Sequence, residues 1–491
     1  MNGILFKLRR WAEGGSLAIL LATAPTDASV GAENEARIGL MRAVSETYDV
    51  VNTPTEPASL PGAAAPITPK APEPAASSAL ELPALPASLE VRRDNTVVRI
   101  KPTNKVRRRG VVMAGARLPL LEESEGPGCG GSWFRVMEEG WICEDDGRRS
   151  NLPPSGADYP VLPKGQITPW PYGFVRESTL EYRKEGGLLV EMREVLKGFG
   201  FGVADTVRID GTSYFETAEG TFIPRKDAGI AGRISDFEGT ALSPSLPNPI
   251  GFVVKRHATA WSAPAQRREN RIGTVERYKP FEVLDTSGTG RNKFYRFDEG
   301  AWLAARDVRT PRPASLPKGI KPGERWIDVD TARQMITAYE GETPVYITLI
   351  SSGRVSSPTV KGEYRIWAKI AAIAMDNTDE ALEAESPPDA DTETSSSADT
   401  DTDTDTETTA PKEPHLYSLH DVPWTQFFFE SFALHGVYWH DAFGNRRSHG
   451  CVNLSPKDAA WFYNWTEPRI PPGFWAVHST AASPGTLVRI R

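Results

Sequence analysis

The sequence lacks any apolar run long enough to cross a membrane as a helix, and cysteine and histidine are scarce. Its 491 residues include 3 cysteines and 7 histidines. Their spacings match no zinc signature. No cysteine lies near the apolar N-terminal segment, which argues against a lipid anchor there. A chain of this length is too long for one domain and predicts three or four.

One acidic tract contains no basic residues. Its negative charge makes the net charge of the whole chain negative, although the net charge of the remaining residues is positive. The formal net charge is −8, yet residues 376–409 hold thirteen acidic side chains and no Lys or Arg. The remainder is therefore mildly basic, at about +5, which suits an anionic polymer as partner. Without aromatics, the insertion 376–412 is expected to be a disordered surface loop, and it lacks the glycine and spacing of a calcium loop.

The N-terminus has the parts of an export signal, which we place at residues 1–32. Lys7, Arg9 and Arg10 precede a short apolar core at 17–21 and small residues at 22–24 and 30–32. A short amphipathic helix on a cytosolic protein is the alternative. Residues 33–90 form a Pro/Ala-rich linker, which would be either a semi-rigid extended arm or an inert spacer.

A pattern of aromatic strand, turn with glycine and second aromatic strand occurs three times, at 133–142, 214–223 and 294–303. Alternation on both sides of the turn predicts β-hairpins. The pattern resembles small bacterial SH3-like barrels, with modules at 91–158, 159–245 (the weakest match) and 246–312. Their exposed aromatics could bind wall glycan or peptide, although aromatic pairs across a hairpin are more often core.

The cysteines divide into a pair and a single thiol. Cys129 and Cys143 flank the first hairpin, so they could form a disulfide, which would imply an oxidising compartment. A reduced, buried pair is the alternative. Cys451 stands alone.

The chemistry of the chain concentrates around Cys451. The segments 435–440 (HGVYWH) and 448–453 (SHGCVN) give this thiol two nearby imidazoles, His435 and His449, either of which could take its proton. Gly450 would permit a sharp turn that points the N–H groups of Gly450 and Cys451 toward an oxyanion. Next, Ser455, Pro456 and Asp458 are typical of a helix start.

This spacing, over residues 324–491, closely resembles the YkuD-type L,D-transpeptidases of bacterial cell walls. The resemblance also includes a first strand at 326–329, the stretch 356–366, residues 421–424 and a closing strand at 486–490, while 359–362 (TVKG) departs from the usual turn. The residues at 345–350 and 363–367 predict two further strands. The resemblance implies that Cys451 is the nucleophile and His435 its base. It also implies that the Gly436 carbonyl orients the imidazole. Site roles are expected as well for the further residues Ser448, His449, Gly450 and Asn453 (loop and pocket) and Tyr438 and Trp439 (substrate pocket).

The expected fold is mainly β: small SH3-like modules followed by a YkuD-type β-sandwich with a short helix after the nucleophile. The resemblance implies an enzyme that crosslinks peptidoglycan stem peptides without cofactor or metal. With the N-terminal signal, we expect it to be exported to the periplasm or cell envelope, with no nucleic-acid partner and no membrane span in the mature chain. An L,D-carboxypeptidase, a wall-binding scaffold, a structural cysteine and a zinc site of His435, His440, His449 and Cys451 are the alternatives.

Overall fold

The computed structural model describes residues 87–156, 167–232, 234–243, 248–376 and 418–491, which all belong to one compact unit. The expected signal at 1–32, nearly all of the linker and the acidic insertion after Asp376 lie outside the described residues. The described part is mainly β, as predicted. None of its helices has the length and apolar character needed to cross a membrane.

The first upstream segment holds eight short strands around its own apolar core, which includes Leu89, Val98, Phe134 and Ile142. The strands are β1 (Ser88–Val91), β2 (Thr96–Arg99), β3 (Arg108–Val112), β4 (Arg117–Pro119), β5 (Glu122–Ser124), β6 (Trp133–Met137), β7 (Gly140–Cys143) and β8 (Gly147–Ser150).

The second upstream segment has longer strands and a core rich in phenylalanine, including Phe199, Phe201 and Phe215. Its strands are β9 (Tyr172–Val175), β10 (Thr179–Glu185), β11 (Leu188–Val195), β12 (Gly200–Ile209), β13 (Thr212–Thr217), β14 (Phe222–Pro224) and β15 (Ala228–Ile230).

A short strand, β16 (Thr240–Ala241), precedes the third segment, whose core includes Val253, Phe281, Tyr295 and Leu303. The strands of this segment are β17 (Ile250–Val253), β18 (His257–Trp261), β19 (Arg271–Glu276), β20 (Pro280–Glu282), β21 (Asp285–Ser287), β22 (Phe294–Asp298), β23 (Ala301–Ala304) and β24 (Val308–Arg309). Four 3-10 turns lie in the first and third segments, at Glu144–Asp146, Arg268–Asn270, Gly290–Asn292 and Ala305–Asp307.

All three repeated hairpins form as predicted. Their strands pair antiparallel as β6 with β7, β13 with β14 and β22 with β23. The tight turns contain residues with positive φ, at Glu139, Gly220 and Gly300, a backbone conformation that favours glycine. The SH3-like character of the segments stays a prediction.

In the C-terminal segment, the described residues 324–376 and 418–491 form ten strands and the α-helix α1 (Pro456–Trp465). The strands are β25 (Arg325–Asp330), β26 (Met335–Glu340), β27 (Thr343–Leu349), β28 (Gly362–Arg365), β29 (Ala368–Asp376), β30 (Ser418–Phe429), β31 (Phe432–Gly436), β32 (Val452–Leu454), β33 (Phe474–His478) and β34 (Leu487–Ile490). One sheet has the order β16-β27-β26-β25-β34-β28. The other runs β33-β29-β30-β31-β32.

The principal core lies among these two sheets and α1. Ile327 and Ile336 of the first sheet, Leu434 and Val452 of the second, and Phe462 of α1 belong to one buried cluster. Burial of these apolar side chains is the main stabilising term for the segment. It also fixes β31 and β32, the two strands that hold the predicted site.

The upstream segments join this sandwich through backbone pairing. Strand β3 of the first segment pairs antiparallel with β33, β16 pairs with β27, and Gly200 of β12 pairs with Leu419 of β30. Gly110 is needed at the first contact, because a Cβ there would lie 2.6 Å from the Ala476 carbonyl oxygen. Strands β3 and β12 therefore pair with the sheet that carries the site, whereas β16 extends the other sheet and the strands of the third segment form sheets of their own.

Candidate active site

The parallel pair β31–β32 brings His435 and Cys451 together. Leu434 pairs with Val452 and His435 with Asn453, so Cys451, one position before Val452, stands opposite Ala433. Side chains alternate between the faces of a sheet, which puts Ala433, His435, Cys451 and Asn453 on one face. The predicted nucleophile and its predicted base are thus diagonal neighbours on adjacent strands.

His435 is buried, at 2% exposure, and its ring is held in one orientation. Nδ1 lies 3.1 Å from the carbonyl oxygen of Gly436, to which it donates when the ring is neutral. Nε2 then has a free lone pair. Burial lowers the pKa of His435 to about 4, against the opposing effect of the Gly436 carbonyl. At neutral pH the imidazole is therefore an uncharged base.

The thiol of Cys451 is also neutral in this arrangement. It donates weakly to the carbonyl of Ser431, at 3.7 Å, and the residue packs beside a cluster that contains Ala433 and Phe427. Burial raises the pKa of Cys451 to about 11, although the backbone N–H of Ala433 acts in the opposite direction. The resting pair is thus a thiol and an imidazole, not a thiolate and an imidazolium.

The turn before the nucleophile depends on glycine. Gly450 has φ +138, and an added Cβ would lie 2.6 Å from the Phe432 ring. Its N–H donates to Ser448 Oγ at 3.1 Å, and Ser448 Oγ in turn donates to the Cys451 carbonyl. Ser448 therefore holds the loop as predicted, but the Gly450 N–H is occupied in this conformation, contrary to the expectation that it points toward an oxyanion.

Thr359 was not expected among the residues that hold this loop. Its hydroxyl donates to the Gly450 carbonyl at 2.7 Å and accepts the Gly353 N–H at 2.9 Å. Thr359 lies in the stretch 359–362, where the sequence differs from the turn that is usual in the family it resembles. That difference was the feature of the sequence that could have drawn attention to Thr359. Thr359 links the nucleophile loop to the segment that follows β27.

Asn453 and His440 meet beside the site, where the Asn453 side-chain amide lies 3.0 Å from His440 Nε2. Burial is the first cause that lowers the pKa of His440 to about 4. In the described part of the chain, the ligand atoms of His435, His440, His449 and Cys451 do not gather as a metal-binding group. His449 is half-buried.

The two aromatic residues predicted for the substrate pocket, Tyr438 and Trp439, lie in different surroundings. Trp439 is half-buried, and its ring lies 5.9 Å from that of His435, where it can form a wall. Tyr438 is only 4% exposed and stacks on Tyr172 of β9 with ring centroids 3.7 Å apart. The expectation for Tyr438 is therefore wrong: its ring is used to bind the second upstream segment, and sequence patterning could not reveal that contact.

The predicted helix follows the nucleophile and is fixed by a buried carboxylate. Ser455 is the N-cap and Pro456 the first helical residue. Asp458 is fully buried and accepts side-chain hydrogen bonds from Tyr346, Thr348 and Ser455 at 2.6–2.8 Å, together with the Gly239 N–H. Burial raises the pKa of this carboxyl group.

Cys129 and Cys143 form a disulfide in the first upstream segment. Cys451 is the free cysteine. Asp145 lies close to the two bonded sulfurs, but both are engaged in the disulfide. The cysteines therefore divide into the pair and the single thiol that the sequence suggested.

Comparison with known proteins finds a family match for the C-terminal segment. Residues 324–490 match the sequence model of YkuD, the L,D-transpeptidase catalytic domain. No curated protein matches the chain.

Several solved structures are similar to parts of the chain. L,D-transpeptidase 3 from Mycobacterium tuberculosis is 17% identical over 40% of this chain and 77% of its own, with a TM-score of 0.23. An L,D-transpeptidase from Mycobacterium smegmatis is 18% identical over 52% of this chain and 100% of its own, with a TM-score of 0.23. A mutant L,D-transpeptidase from Enterococcus faecium is 17% identical over 34% of this chain, with a TM-score of 0.22, and half of its length is spanned.

These global similarities are low, so the assignment rests on the family match and its agreement with the strands and loop described above. That match covers the segment that contains Cys451, His435 and the helix α1. Residues 324–490, which contain Cys451 and His435, are thus the part of the chain that matches the YkuD L,D-transpeptidase catalytic domain.

Proposed function

We propose that this protein is a peptidoglycan L,D-transpeptidase that works through a thioester on Cys451. The observation that carries the proposal is the placement of Cys451 and His435 on one face of adjacent strands, with His435 oriented by the Gly436 carbonyl. A cysteine beside a base whose second ring nitrogen is engaged is the arrangement of an activated nucleophile.

In the first half-reaction, Cys451 Sγ attacks the carbonyl that joins the third residue of a donor tetrapeptide stem to its terminal D-alanine. His435 Nε2 takes the thiol proton as the C–S bond forms. The C–N bond then breaks, and the same proton passes from the imidazolium to the departing amine. A thioester and free D-alanine result.

In the second half-reaction, an amine from the third residue of another stem attacks the thioester. His435 takes the proton of this amine and returns it to the sulfur as the thiolate leaves. The new amide is a crosslink between the two third residues, and the neutral thiol and imidazole are restored. The cycle uses side chains of this domain and no metal or cofactor.

The neutral resting pair suits a buried site. A preformed thiolate and imidazolium would both be charged, and burial disfavours the charged form of each group. Charge would develop only as the carbonyl oxygen becomes an oxyanion. The Cys451 N–H would then stabilise it, joined by the Gly450 N–H once it releases Ser448, each such donor being worth about 3 kcal/mol.

We further infer that the chain is exported. The basic and apolar N-terminus, the mildly basic body and the disulfide of the first segment support this inference. The three upstream hairpin segments are proposed as SH3-like modules that engage the wall. Sequencing the N-terminus of the protein from the producing cell would show cleavage near residue 24 or 32 if the signal is real.

The proposal is tested with a disaccharide-tetrapeptide fragment of peptidoglycan, with products and protein mass read by mass spectrometry. A crosslinked dimer and free D-alanine are expected from the wild-type protein and from neither Cys451→Ala nor a blank. Tripeptide without dimer would assign an L,D-carboxypeptidase instead. A folded protein with a reduced thiol that gave neither product nor adduct would contradict the enzymatic proposal and favour a wall-binding scaffold.

A second readout is independent of the stem. One similar structure contains a faropenem-derived adduct and another is a complex with imipenem. The proposal predicts that imipenem adds its mass to this chain once, at Cys451, and that Cys451→Ala stays unmodified.

A further inference from the structure

The second upstream segment has a groove that the proposed reaction does not use. Its volume is about 430 Å³, and it lies between the loop before β9 and strand β12. The lining combines apolar surface with two polar side chains, the principal residues being Trp170, Pro171, Val203, Asp205, Thr206 and Ile230.

The groove is open to an extended ligand. Pro171, Asp205 and Thr206 are exposed, and Ile230 is 49% exposed. Strand β12 has a bulge between Val203 and Asp205, where its pairing with β13 shifts register. A bulge redirects the side chains beside it, and Asp205 and Thr206, which follow the bulge, both contribute to the lining of the groove. One carboxylate oxygen of Asp205 accepts the Thr206 N–H at 2.7 Å, which leaves the second oxygen for a ligand.

Trp170 connects this groove to the active site. Its ring centroid lies 6.4 Å from that of Trp475, which packs on the same apolar cluster as Cys451. Trp170 also packs on the cluster that Trp439 joins, and the Trp439 ring lies over His435. One aromatic side chain thus contacts the surroundings of both the nucleophile and the base.

We propose that this groove, here named the Trp170 groove, binds the sugar portion of the donor substrate. The proposal rests on the proposed function. In the donor, three residues separate the glycan from the carbonyl that Cys451 attacks, a span of about 10 Å in extended form. A stem bound at Cys451 therefore places its sugars about 10 Å from the thiol. The Trp170 groove is a candidate surface for them because Trp170 contacts Trp475, which packs on the same apolar cluster as Cys451.

The chemistry of the groove fits a sugar. A pyranose has an apolar face of C–H groups and an edge of hydroxyls. The indole of Trp170, with the proline and isoleucine, offers a flat apolar surface for the face. Asp205 can accept hydrogen bonds from hydroxyls, and Thr206 can both donate and accept. An exposed carboxylate disfavours an anionic ligand and suits a neutral, hydroxyl-rich one.

The test compares D-alanine release from a disaccharide-tetrapeptide and from the same tetrapeptide without sugar. For Trp170→Ala we expect KM for the disaccharide substrate to rise about tenfold, as loss of one aromatic stacking partner predicts. The constants for the sugar-free peptide should change much less than KM for the disaccharide substrate in Trp170→Ala, which also alters the packing at Trp475. Asp205→Ala should raise KM for the disaccharide substrate about threefold, as loss of one hydrogen bond predicts, and Trp170→Phe should recover most of the affinity.

Leu188→Ala is the matched control, because Leu188 lies on β11 of the same segment and is 70% exposed. It should leave both substrates unaffected. If Trp170→Ala is poorly folded, Asp205→Ala and Ile230→Ser test the open side of the groove. Equal losses on both substrates would mean that Trp170 only supports the fold, and no change on either would mean that the groove is unused; both results overturn the proposal.

A binding measurement distinguishes failure of the groove proposal from failure of the proposed enzymatic activity. Peptide-free glycan chains are titrated into Cys451→Ala protein, and intrinsic tryptophan fluorescence reports binding. Saturable binding that Trp170→Ala weakens supports the groove even if no stem is ever turned over. No binding by the parent protein, at concentrations where the disaccharide substrate saturates the active enzyme, contradicts it.

Discussion

The neutral Cys451–His435 pair predicts how acylation depends on pH and on His435. With its pKa raised to about 11, the Cys451 thiol is ionised to only about one part in 10⁴ at pH 7. An ordinary cysteine, with a pKa near 8.5, is about 3% thiolate at the same pH. The environment of Cys451, in which burial outweighs the Ala433 N–H, therefore lowers the thiolate population on the order of 100-fold, and the reaction depends on proton transfer to His435.

Because His435 has a pKa of about 4, neither group changes charge between pH 6 and pH 9. The second-order rate of acylation by imipenem should be level across this range. In His435→Gln the rate at pH 7 should fall about 10²–10⁴-fold, because the general base is lost. The residual rate should rise tenfold per pH unit, since hydroxide must then remove the proton.

The assay is stopped-flow loss of imipenem absorbance, with the adduct checked by mass spectrometry. His257→Gln is the matched control, since His257 is a surface histidine of β18. The reasoning is refuted if the wild-type rate climbs with a midpoint near pH 8.5, because the thiol would then titrate normally. It is equally refuted if His435→Gln retains the wild-type rate.

Three further outcomes follow from buried contacts. Asp458→Asn should lower the unfolding free energy by about 3 kcal/mol. The amide nitrogen of Asn cannot accept the hydrogen bonds that the hydroxyl and N–H donors make to the carboxylate. Urea titration measures the change. Burial lowers the pKa of Lys369 to about 7, while the unfolded chain titrates near 10.5, so its contribution to stability is lost as pH falls through this window. The stability advantage of wild type over Lys369→Met should therefore grow from pH 7 to pH 10 in paired urea titrations. A chain truncated to 324–491 should melt lower and aggregate more than 87–491 on heating, because the β33 edge would lose β3; equal melting would contradict this.

Local patterns predicted the elements well. Alternating aromatics around a glycine turn gave all three hairpins, and the serine, proline and aspartate after Cys451 gave the start of α1. The hairpins and the start of the helix depend on residues close together in sequence, where periodicity and capping carry the information. The orientation of His435 by the Gly436 carbonyl was expected from the family resemblance and not from a local pattern.

The features that were missed depend on distant residues. Tyr438 stacks on Tyr172, although hundreds of residues separate them, and Thr359 bonds to the Gly450 loop across 91 positions. The occupied Gly450 N–H depends on the rotamer of Ser448. No local pattern specifies such contacts, because they are fixed by how separate elements pack.

The same long-range packing changes how the upstream segments should be understood. The sequence predicted small modules followed by a catalytic domain and gave no sign of how they contact one another. In the structure β3 of the first segment extends the sheet that carries Cys451. The registers place Cys451, Ala433, Phe427, Ala368 and His478 in one row across that sheet. Val111 of β3 belongs to the apolar cluster that Cys451 joins. Since a shared sheet and core resist independent movement, the first segment acts as a fixed part of the site's surroundings, and a substrate at Cys451 meets a surface built by more than the catalytic domain.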